Sequence, residues 1–267
     1  LALPYANVKD AYSLMTGELK PGTVVLDFAT LSVPSLGWAQ PLAQGEGHQV
    51  GVTAVLNASY LFDGRDDPRH AAADLFDGGS LLLSPSPKAH PDAVELATDF
   101  AAVLGAPPRF VDPHEHDGWM GTVELLPTIL GVTGFMAARS TTGWEDAQRA
   151  ANPNFGRLTH ALADMHPDDV RDLLLNDREA ALRVIAAEIA VLEEFRLALA
   201  ANDAHGLAEA LDSAFAAYNE WLNRRASNKW GDTEEEKKRS SPTEAVMSSF
   251  LGGYLARKLR GSKVDEE

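Results

Sequence analysis

The pattern of this sequence changes along one stretch, Phe110-Val-Asp-Pro-His-Glu-His-Asp-Gly-Trp-Met-Gly-Thr-Val-Glu-Leu-Leu-Pro-Thr-Ile-Leu-Gly-Val-Thr-Gly-Phe-Met136. Before it, short runs rich in Val and Leu alternate with helix-like segments, and after it the pattern is helical. A strand is predicted to end near Val111, and Asp112 or Pro113 to begin a long apolar helix, because proline and acidic residues favour the first helical turn. The sequence therefore predicts an α/β part joined through one hinge to an all-helical part.

Composition narrows the class of protein. The chain has 267 residues, of which 45% are hydrophobic and 23% charged, enough for one large core or two modest ones. Its formal net charge is -16, so nucleic acid and anionic membrane surfaces are not predicted partners. Because no apolar run of roughly eighteen residues and no signal-peptide pattern occur, the predicted location is cytoplasmic. The absence of cysteine excludes disulfides, thiol catalysis and Cys-ligated metals.

The first part of the chain contains three predicted strands, at residues 23–28, 49–56 and 80–84. The opening residues up to Pro4 resemble the end of a further buried strand, which Pro4 terminates. Asp27 and Thr30 are expected at the carboxyl end of their strand, the edge where open α/β sheets bind ligands. Thr30 has an alternative interpretation, in which its hydroxyl caps the next helix.

The hinge contains two features of interest. His114 and His116, flanked by acidic residues, are compatible with a metal site or with a structural hydrogen-bonding hinge; no further ligand occurs at an expected spacing, so no metal is predicted. Glu124 interrupts an otherwise apolar helix. It either faces solvent, with or without an ion-pair partner, or carries a shifted pKa and a functional role near a cleft between the two parts.

The second part is dominated by two long helices. Apolar residues between Leu182 and Leu199 recur at spacings of three and four, and residues 203–225 form a second such helix, so antiparallel packing of the two is predicted. A polar linker leads to an apolar stripe from Val246 to Leu259. This predicts a C-terminal amphipathic helix that docks on its own protein or a second subunit, with a membrane-surface role as the alternative.

Seven segments in register give the chain a resemblance to the prephenate dehydrogenase family, which includes the arogenate dehydrogenases, over roughly residues 1–215. They are Leu1-Ala-Leu-Pro4, Lys20-Pro-Gly-Thr-Val-Val-Leu-Asp27, Asp74-Leu-Phe-Asp-Gly78, Leu83-Ser-Pro-Ser86, Asp112-Pro-His-Glu-His-Asp117, Leu126-Pro127 and Arg171-Asp-Leu-Leu-Leu-Asn-Asp-Arg-Glu179.

The resemblance implies a domain plan. Residues 1–111 would form a partial Rossmann-like nucleotide-binding domain with a parallel sheet, residues 112–228 a helical domain that makes a homodimer, and residues 229–267 the linker and C-terminal helix. It also implies oxidative decarboxylation of a small-molecule substrate, as in tyrosine biosynthesis, with NAD or NADP accepting the hydride. Pro4 and Asp27 are the implied cofactor-binding residues. The family's phosphate loop would precede Leu1, which leaves two interpretations: the sequence is a fragment of such a protein, or the protein lacks half of the dinucleotide site.

The sequence departs from the family where the chemistry is expected. The segment that carries the family's catalytic histidine is here Val55-Leu-Asn-Ala-Ser-Tyr60, and a helix motif with two histidines is Glu124-Leu-Leu-Pro-Thr128. Thr30 and Glu124 therefore become the candidate catalytic residues, and Arg157 and His160 the candidates for binding a substrate anion. Two hypotheses follow: a dehydrogenase with an altered substrate, and a catalytically inactive dimeric scaffold or regulatory protein that keeps the fold.

Overall fold

A computed structural model describes residues 1–15, 17–44, 47–62, 71–228 and 230. The predicted linker and the C-terminal helix between Val246 and Leu259 lie outside these residues.

The described residues form a sheet followed by helices. The strands are β1 (Val24–Asp27), β2 (His48–Val55), β3 (Ser80–Pro85) and β4 (Pro108–Phe110). The helices are α1 (Tyr5–Met15), α2 (Ser32–Trp38), α3 (Gln40–Gln44), α4 (Pro91–Val103), α5 (Pro113–Met120), α6 (Leu126–Arg139), α7 (Trp144–Ala147), α8 (Pro153–Leu158), α9 (Ala161–Asp164), α10 (Pro167–Asn176), α11 (Arg178–Ala200) and α12 (Ala204–Ser227). Short 3₁₀ turns occur at Ala58–Tyr60 and Gln148–Ala150, and a π-helical turn at Gly121–Leu125.

The four strands lie in the order β1-β2-β3-β4. The β1–β2 and β3–β4 pairs are parallel, but β2 and β3 are antiparallel, with Val52 opposite Leu83. The predicted α/β part followed by an all-α part is confirmed, and the sheet is mixed rather than wholly parallel. Strand direction depends on how the connection between β2 and β3 crosses the sheet, which the apolar pattern of each strand does not record.

The opening residues extend this sheet. The Leu1 amino group donates to the Leu26 carbonyl oxygen at 2.6 Å, and the Phe28 N–H donates to the Leu1 carbonyl oxygen at 2.9 Å. These two bonds are the pattern of a parallel bridge between Leu1 and Asp27. Leu1 therefore pairs with β1, but the predicted buried strand does not continue to Pro4, because Ala2, Leu3 and Pro4 are exposed and outside any strand. Pro4 and Thr30 both follow the Leu1–Asp27 pair at the carboxyl end of β1.

Two apolar clusters hold this part of the chain together. One joins α1, β1 and the first helical segments to α6 and α10, with Val8, Leu31 and Leu125 almost wholly buried. The other lies between β2, β3 and α4, where three alanines of α4 (Ala93, Ala97 and Ala101) are buried and allow the helix to approach the sheet closely. Burial of these side chains is the main source of stability.

The hinge helix is continuous from Pro113 to Arg139 and changes its winding once. Pro127 has no N–H and its ring would collide with the carbonyl four residues earlier, so a regular α-helix cannot pass through it. The chain instead forms the π turn Gly121–Leu125, in which the Leu126 N–H donates to the Gly121 carbonyl oxygen.

By length and composition the helix from Pro113 to Arg139 could cross a membrane, and 33% of its most apolar window is buried. Core helices of soluble proteins satisfy the same criterion.

By contacts the chain separates into two compact units. Unit 1 contains residues 1–57 and 71–187, and unit 2 contains residues 58–70 and 188–267. The predicted domain boundaries at 111 and 228 remain predictions. In the described part of unit 2, α12 contacts the turn Ala58–Tyr60, whereas α11 and α12 do not pack along each other. The predicted antiparallel pair is therefore wrong, and apolar residues of both helices remain exposed.

Candidate functional site

The structure brings Thr30 and Glu124 together in one small cavity. Its volume is about 40 Å³, and its lining is completed by Thr128 and by apolar side chains: Leu125, Met165, Val170, Leu173 and Leu174. Because a water molecule needs about 10 to 15 Å³ of such space, the cavity admits only a few water-sized groups. It lies in unit 1, beyond the carboxyl end of β1, where ligands bind in open α/β folds.

The π turn sets the position of Glu124. Glu124 is the fourth residue of the turn, and the extra residue in that turn rotates it relative to the α-helical segments on either side. Thr128 follows one turn later, and its hydroxyl donates to the Glu124 carbonyl oxygen at 2.7 Å. The helix therefore presents a carboxyl and a hydroxyl to the same cavity.

The surroundings of Glu124 are mostly apolar. Glu124 is an exposed residue, as its solvent-facing interpretation requires, although partial desolvation of its carboxyl raises the pKa above the ordinary value for glutamate. Within the described chain no cation forms an ion pair with it, so the ion-paired alternative is not what the structure shows. A carboxyl that is both accessible and partly desolvated can exchange a proton with a ligand or hold a cation.

Thr30 does not cap the helix that follows it. The first N–H groups of α2, those of Ser32 and Val33, donate instead to the Asp117 carboxylate at 2.6 and 2.9 Å. The N-cap residue of α2 is Leu31, which offers no side-chain hydrogen bond. The Thr30 side chain lines the cavity, as its ligand-contact interpretation requires.

His116 belongs to a buried hydrogen-bond cluster. Its Nδ1 lies 3.0 Å from the Ser32 hydroxyl and 2.9 Å from the Asp117 carboxylate, and its Nε2 lies 2.8 Å from the Thr53 hydroxyl. The imidazole thus links α5 to α2 and β2, the structural role that was one of its two interpretations. Among the described residues, no three side chains of the metal-ligating kind come together.

Asp27 points into the core. Its carboxylate accepts hydrogen bonds from the Tyr12 hydroxyl at 2.8 Å, from the Gln49 amide at 3.0 Å and from the Ser35 hydroxyl, and also from the Ala29 N–H at 3.0 Å. Only 1% of the residue is exposed. Burial and the charge of Asp27 both raise the pKa of Tyr12. Asp27 therefore has no free carboxylate oxygen with which to bind a cofactor, the role predicted for it.

The two ends of a dinucleotide make different demands on the described residues. Pro4 is exposed and, like Thr30, follows the Leu1–Asp27 bridge, so both lie at the carboxyl edge of β1, where open α/β folds bind ligands. A diphosphate would need free backbone N–H groups at a helix start. At α1 the Ala6 N–H is already taken by the Asp169 carboxylate at 2.8 Å, whose charge would repel phosphate.

The predicted anion-binding pair lies elsewhere. Arg157 is exposed in the last turn of α8, and His160 is half exposed and pairs with Asp164 at 2.9 Å. Neither lines the cavity that holds Thr30 and Glu124. Leu158, which lies between them in sequence, packs against Gly131 and Gly134 of α6.

Sequence reasoning did not nominate Thr128 or Met165 for the site. Thr128 could have been found, since it is four residues after Glu124 and therefore on nearly the same helix face. Met165 offered no local signal, because it reaches the cavity only through packing.

A second, open groove of about 620 Å³ runs between α2, α3 and the segments at Ser86–Lys88 and Asp112–His114. It does not include Thr30 or Glu124.

The sheet and the helices after it define a class of fold, a partial Rossmann-like α/β unit followed by helices. Comparison with solved structures identifies that fold more specifically. The chain is similar to prephenate dehydrogenase from Aquifex aeolicus, at 17% identity and a TM-score of 0.64, covering 82% of this chain and 76% of that one. The same enzyme solved with hydroxyphenyl propionate and NAD⁺ gives 16% identity and a TM-score of 0.66, over 82% and 74% of the two chains.

A third similar structure is Synechocystis arogenate dehydrogenase, at 15% identity and a TM-score of 0.61, covering 82% of this chain and 76% of that one. No protein-family model and no curated protein matches the chain. The resemblance expected from the seven sequence segments is therefore confirmed as a shared fold: the chain has the fold of the prephenate and arogenate dehydrogenases, with a sequence that has diverged far from them.

Proposed function

We propose that this chain is an oxidoreductase of the prephenate and arogenate dehydrogenase type whose substrate has changed. The observation that carries the proposal is the cavity shared by Thr30 and Glu124. The sequence resemblance implies that the family's reacting groups belong on these two segments, and the proposal is supported by the cavity that both segments line.

In this proposal Thr30 and Glu124 act on the substrate. The Thr30 hydroxyl would hydrogen bond to it beside the strand edge, and Glu124 would accept a proton from it, which a carboxyl with a raised pKa does more effectively than an ordinary one. NAD or NADP would accept the hydride when bound next to Pro4 and Thr30. Arg157 and His160 would contribute only to an outer part of the substrate site, since both lie away from the cavity.

The test is nicotinamide binding by the full-length protein, followed by a turnover screen with prephenate, arogenate and related hydroxy acids. We expect cofactor binding and turnover of a compound other than prephenate. Replacing Glu124 by Gln should lower kcat about 10²- to 10⁴-fold, the usual contribution of an acid-base group. Failure of the full-length protein to bind either nicotinamide cofactor would refute the proposal.

One observation favours the second candidate function, a dimeric scaffold or regulatory protein without catalysis. The cavity of about 40 Å³ is far below the several hundred Å³ of an ordinary ligand pocket. A scaffold would need no larger opening. Under this alternative the full-length protein binds no nicotinamide cofactor but keeps its oligomeric state.

Both candidates include a homodimer formed through the helices. The proposal is supported by large apolar side chains on α11 and α12 that stay exposed in the single chain: Ile189, Leu192, Leu197, Leu199, Phe215, Tyr218 and Trp221. Exposed apolar surface of this kind marks association sites. Leu192→Asp should reduce the mass measured by light scattering to that of a monomer, whereas Leu14→Asp, at an exposed position on α1, should not. A cytoplasmic location accompanies this proposal.

A further inference from the structure

The open groove beside α2 and α3 has the dimensions of a ligand site. Its volume is about 620 Å³, within the roughly 300 to 1,000 Å³ of small-molecule pockets. The described residues that line it all belong to unit 1, and none of them lines the small cavity that holds Thr30 and Glu124. The groove is therefore a second candidate site, independent of the proposed function.

A buried amide forms the strand side of the groove. Among the described lining residues, Gln49 is the one that belongs to a strand, and only 3% of it is exposed. Residues four apart on a strand point to the same face of the sheet, so Gln49 shares its face with Thr53, which contacts His116 of α5. The Gln49 side chain thus points to the side of the sheet where α2 and the start of α5 border the groove.

One end of that amide has no hydrogen-bond partner. The Gln49 Nε2 lies 3.0 Å from the Asp27 carboxylate and 3.2 Å from the Ser35 hydroxyl oxygen. Because a carboxylate only accepts, the nitrogen of the amide is the atom on that side. The oxygen Oε1 is buried and has no partner among the described residues. Asp27 and Ser35 lie outside the groove lining, so Oε1, on the other side of the amide carbon, is the end that remains for the groove.

The walls of the groove are apolar and leave open space. Val33, Leu36 and Leu42 supply aliphatic surface. Gly37 also lines the groove, on the exposed side of α2, and a Cβ at this position would meet no atom within 4 Å. A glycine inside a helix is unfavourable relative to alanine, and here its consequence is a groove that stays open.

The charged groups at the mouth of the groove balance each other. Lys88 and Asp112 are both exposed and carry opposite charges, and His114 is the remaining titratable residue of the described lining. Exposed charges contribute little to binding because solvent screens them. The groove therefore offers no net charge to a ligand, and its specific polar feature is one buried acceptor.

We propose that this groove binds a neutral, mainly apolar small molecule that presents one N–H or O–H donor to Gln49. The donor supplies Oε1 with the partner that buried polar atoms normally have. The apolar body of the ligand lies along Val33, Leu36 and Leu42, and both surfaces are removed from water. A ligand that has only acceptors leaves Oε1 unpaired, and a charged ligand must give up hydration without a buried counter-charge.

Two compounds of nearly the same shape test the donor. Indole and benzothiophene are both neutral, and of the two only indole carries an N–H. Each is titrated into the full-length protein and followed by ligand-observed NMR. We expect indole to bind about 3- to 10-fold more tightly than benzothiophene, the range that corresponds to one hydrogen bond. Indole-5-carboxylate, which keeps the N–H and adds a charge, should bind more weakly than indole.

Substitutions locate the binding. Gly37→Leu places a side chain in the open space of the groove without changing Gln49, and it should prevent indole binding. The matched control is Gly156→Leu, which adds the same side chain at an exposed position of α8 where a Cβ also meets no atom within 4 Å, and it should leave indole binding unchanged.

A third variant removes the acceptor itself. Gln49→Met keeps a similar side-chain volume, so the affinities for indole and benzothiophene should come within about twofold of each other. Circular dichroism checks that this variant is folded, because Gln49 also donates to Asp27. If it does not fold, the comparison of the two compounds and the Gly37→Leu variant still decide.

Several results would overturn the inference. Equal affinity for indole and benzothiophene, or a preference for indole that survives in folded Gln49→Met, would show that no donor meets Oε1. Indole binding that persists in Gly37→Leu would lie outside the groove. No detectable binding of either compound would refute the ligand class. None of these readouts uses a nicotinamide cofactor, so the outcome is separate from that of the proposed oxidoreductase.

Discussion

The capping of α2 by Asp117 provides a stringent test of the fold. In Asp117→Asn one carboxylate oxygen is replaced by an NH₂ group, which cannot accept from the Ser32 or Val33 N–H groups that the two oxygens now satisfy at 2.6 and 2.9 Å. One buried N–H thereby loses its partner and meets another donor. The site is well shielded, because only 8% of Asp117 is exposed.

The expected cost follows from that geometry. A hydrogen bond to a charged group contributes about 1.5 to 3 kcal/mol, and an unsatisfied buried donor costs about 1 to 3 kcal/mol. We therefore expect Asp117→Asn to lower the free energy of unfolding by about 2 to 4 kcal/mol. Asp112→Asn is the matched control. Its side chain also accepts from two N–H groups, at 2.8 and 3.3 Å, but both bonds go to one oxygen, which asparagine keeps. Because asparagine caps a helix about as well as aspartate, Asp112→Asn should cost less than about 0.5 kcal/mol.

Two assays measure the effect. Urea denaturation gives the free energy of unfolding of both variants, and hydrogen exchange reports the opening of α2 directly through the amides of Ser32 and Val33. These amides should lose protection in Asp117→Asn and keep it in Asp112→Asn. If Asp117→Asn costs no more than its control and α2 remains protected, the carboxylate does not hold α2 and the described connection between α5 and α2 is incorrect.

Three further predictions concern other parts of unit 1. Gly79→Ala should destabilise the fold by about 1 to 3 kcal/mol in urea, because the new Cβ would lie 2.0 Å from the Val55 carbonyl oxygen. Burial and the charge of Asp27 raise the pKa of Tyr12, so the folded state holds the phenolic proton more tightly than the unfolded state does. The free energy of unfolding should therefore fall as pH rises above about 10. In Tyr12→Phe this fall should be less steep. Burial raises the pKa of Glu124, so the protonated carboxyl is compatible with the fold at low pH and the fold loses stability as the carboxyl ionises. Glu124→Gln, which cannot ionise, should therefore be more stable than the native chain at neutral pH.

Each of these predictions has a control in the same chain. Gly78→Ala adds a methyl group in open space at a φ of +68° and should cost only about 1 kcal/mol. Tyr218→Phe changes an exposed tyrosine and should leave the alkaline branch unaltered. Glu115→Gln should not stabilise the protein at neutral pH. A variant that behaves like its control contradicts the corresponding account of burial or crowding.

Sequence by itself determined the elements of this protein and their order. The apolar run before Asp27, the proline-led start of the hinge helix and the long helices after it are local patterns, and local patterns follow from backbone geometry and side-chain periodicity. The position of Glu124 within an apolar helix was equally visible. Seven short segments sufficed to indicate the fold shared with the prephenate and arogenate dehydrogenases.

Only the tertiary structure decided how these elements meet. The antiparallel pairing of β2 with β3, the inward turn of Asp27 and the capping of α2 by a residue 85 positions away from Ser32 have no local signal. The same is true of the cavity that unites Thr30 with Glu124 and leaves Arg157 outside. The physical reason is that contacts between distant residues are selected by the packing of the whole core, where each buried polar group must find a partner wherever the fold supplies one.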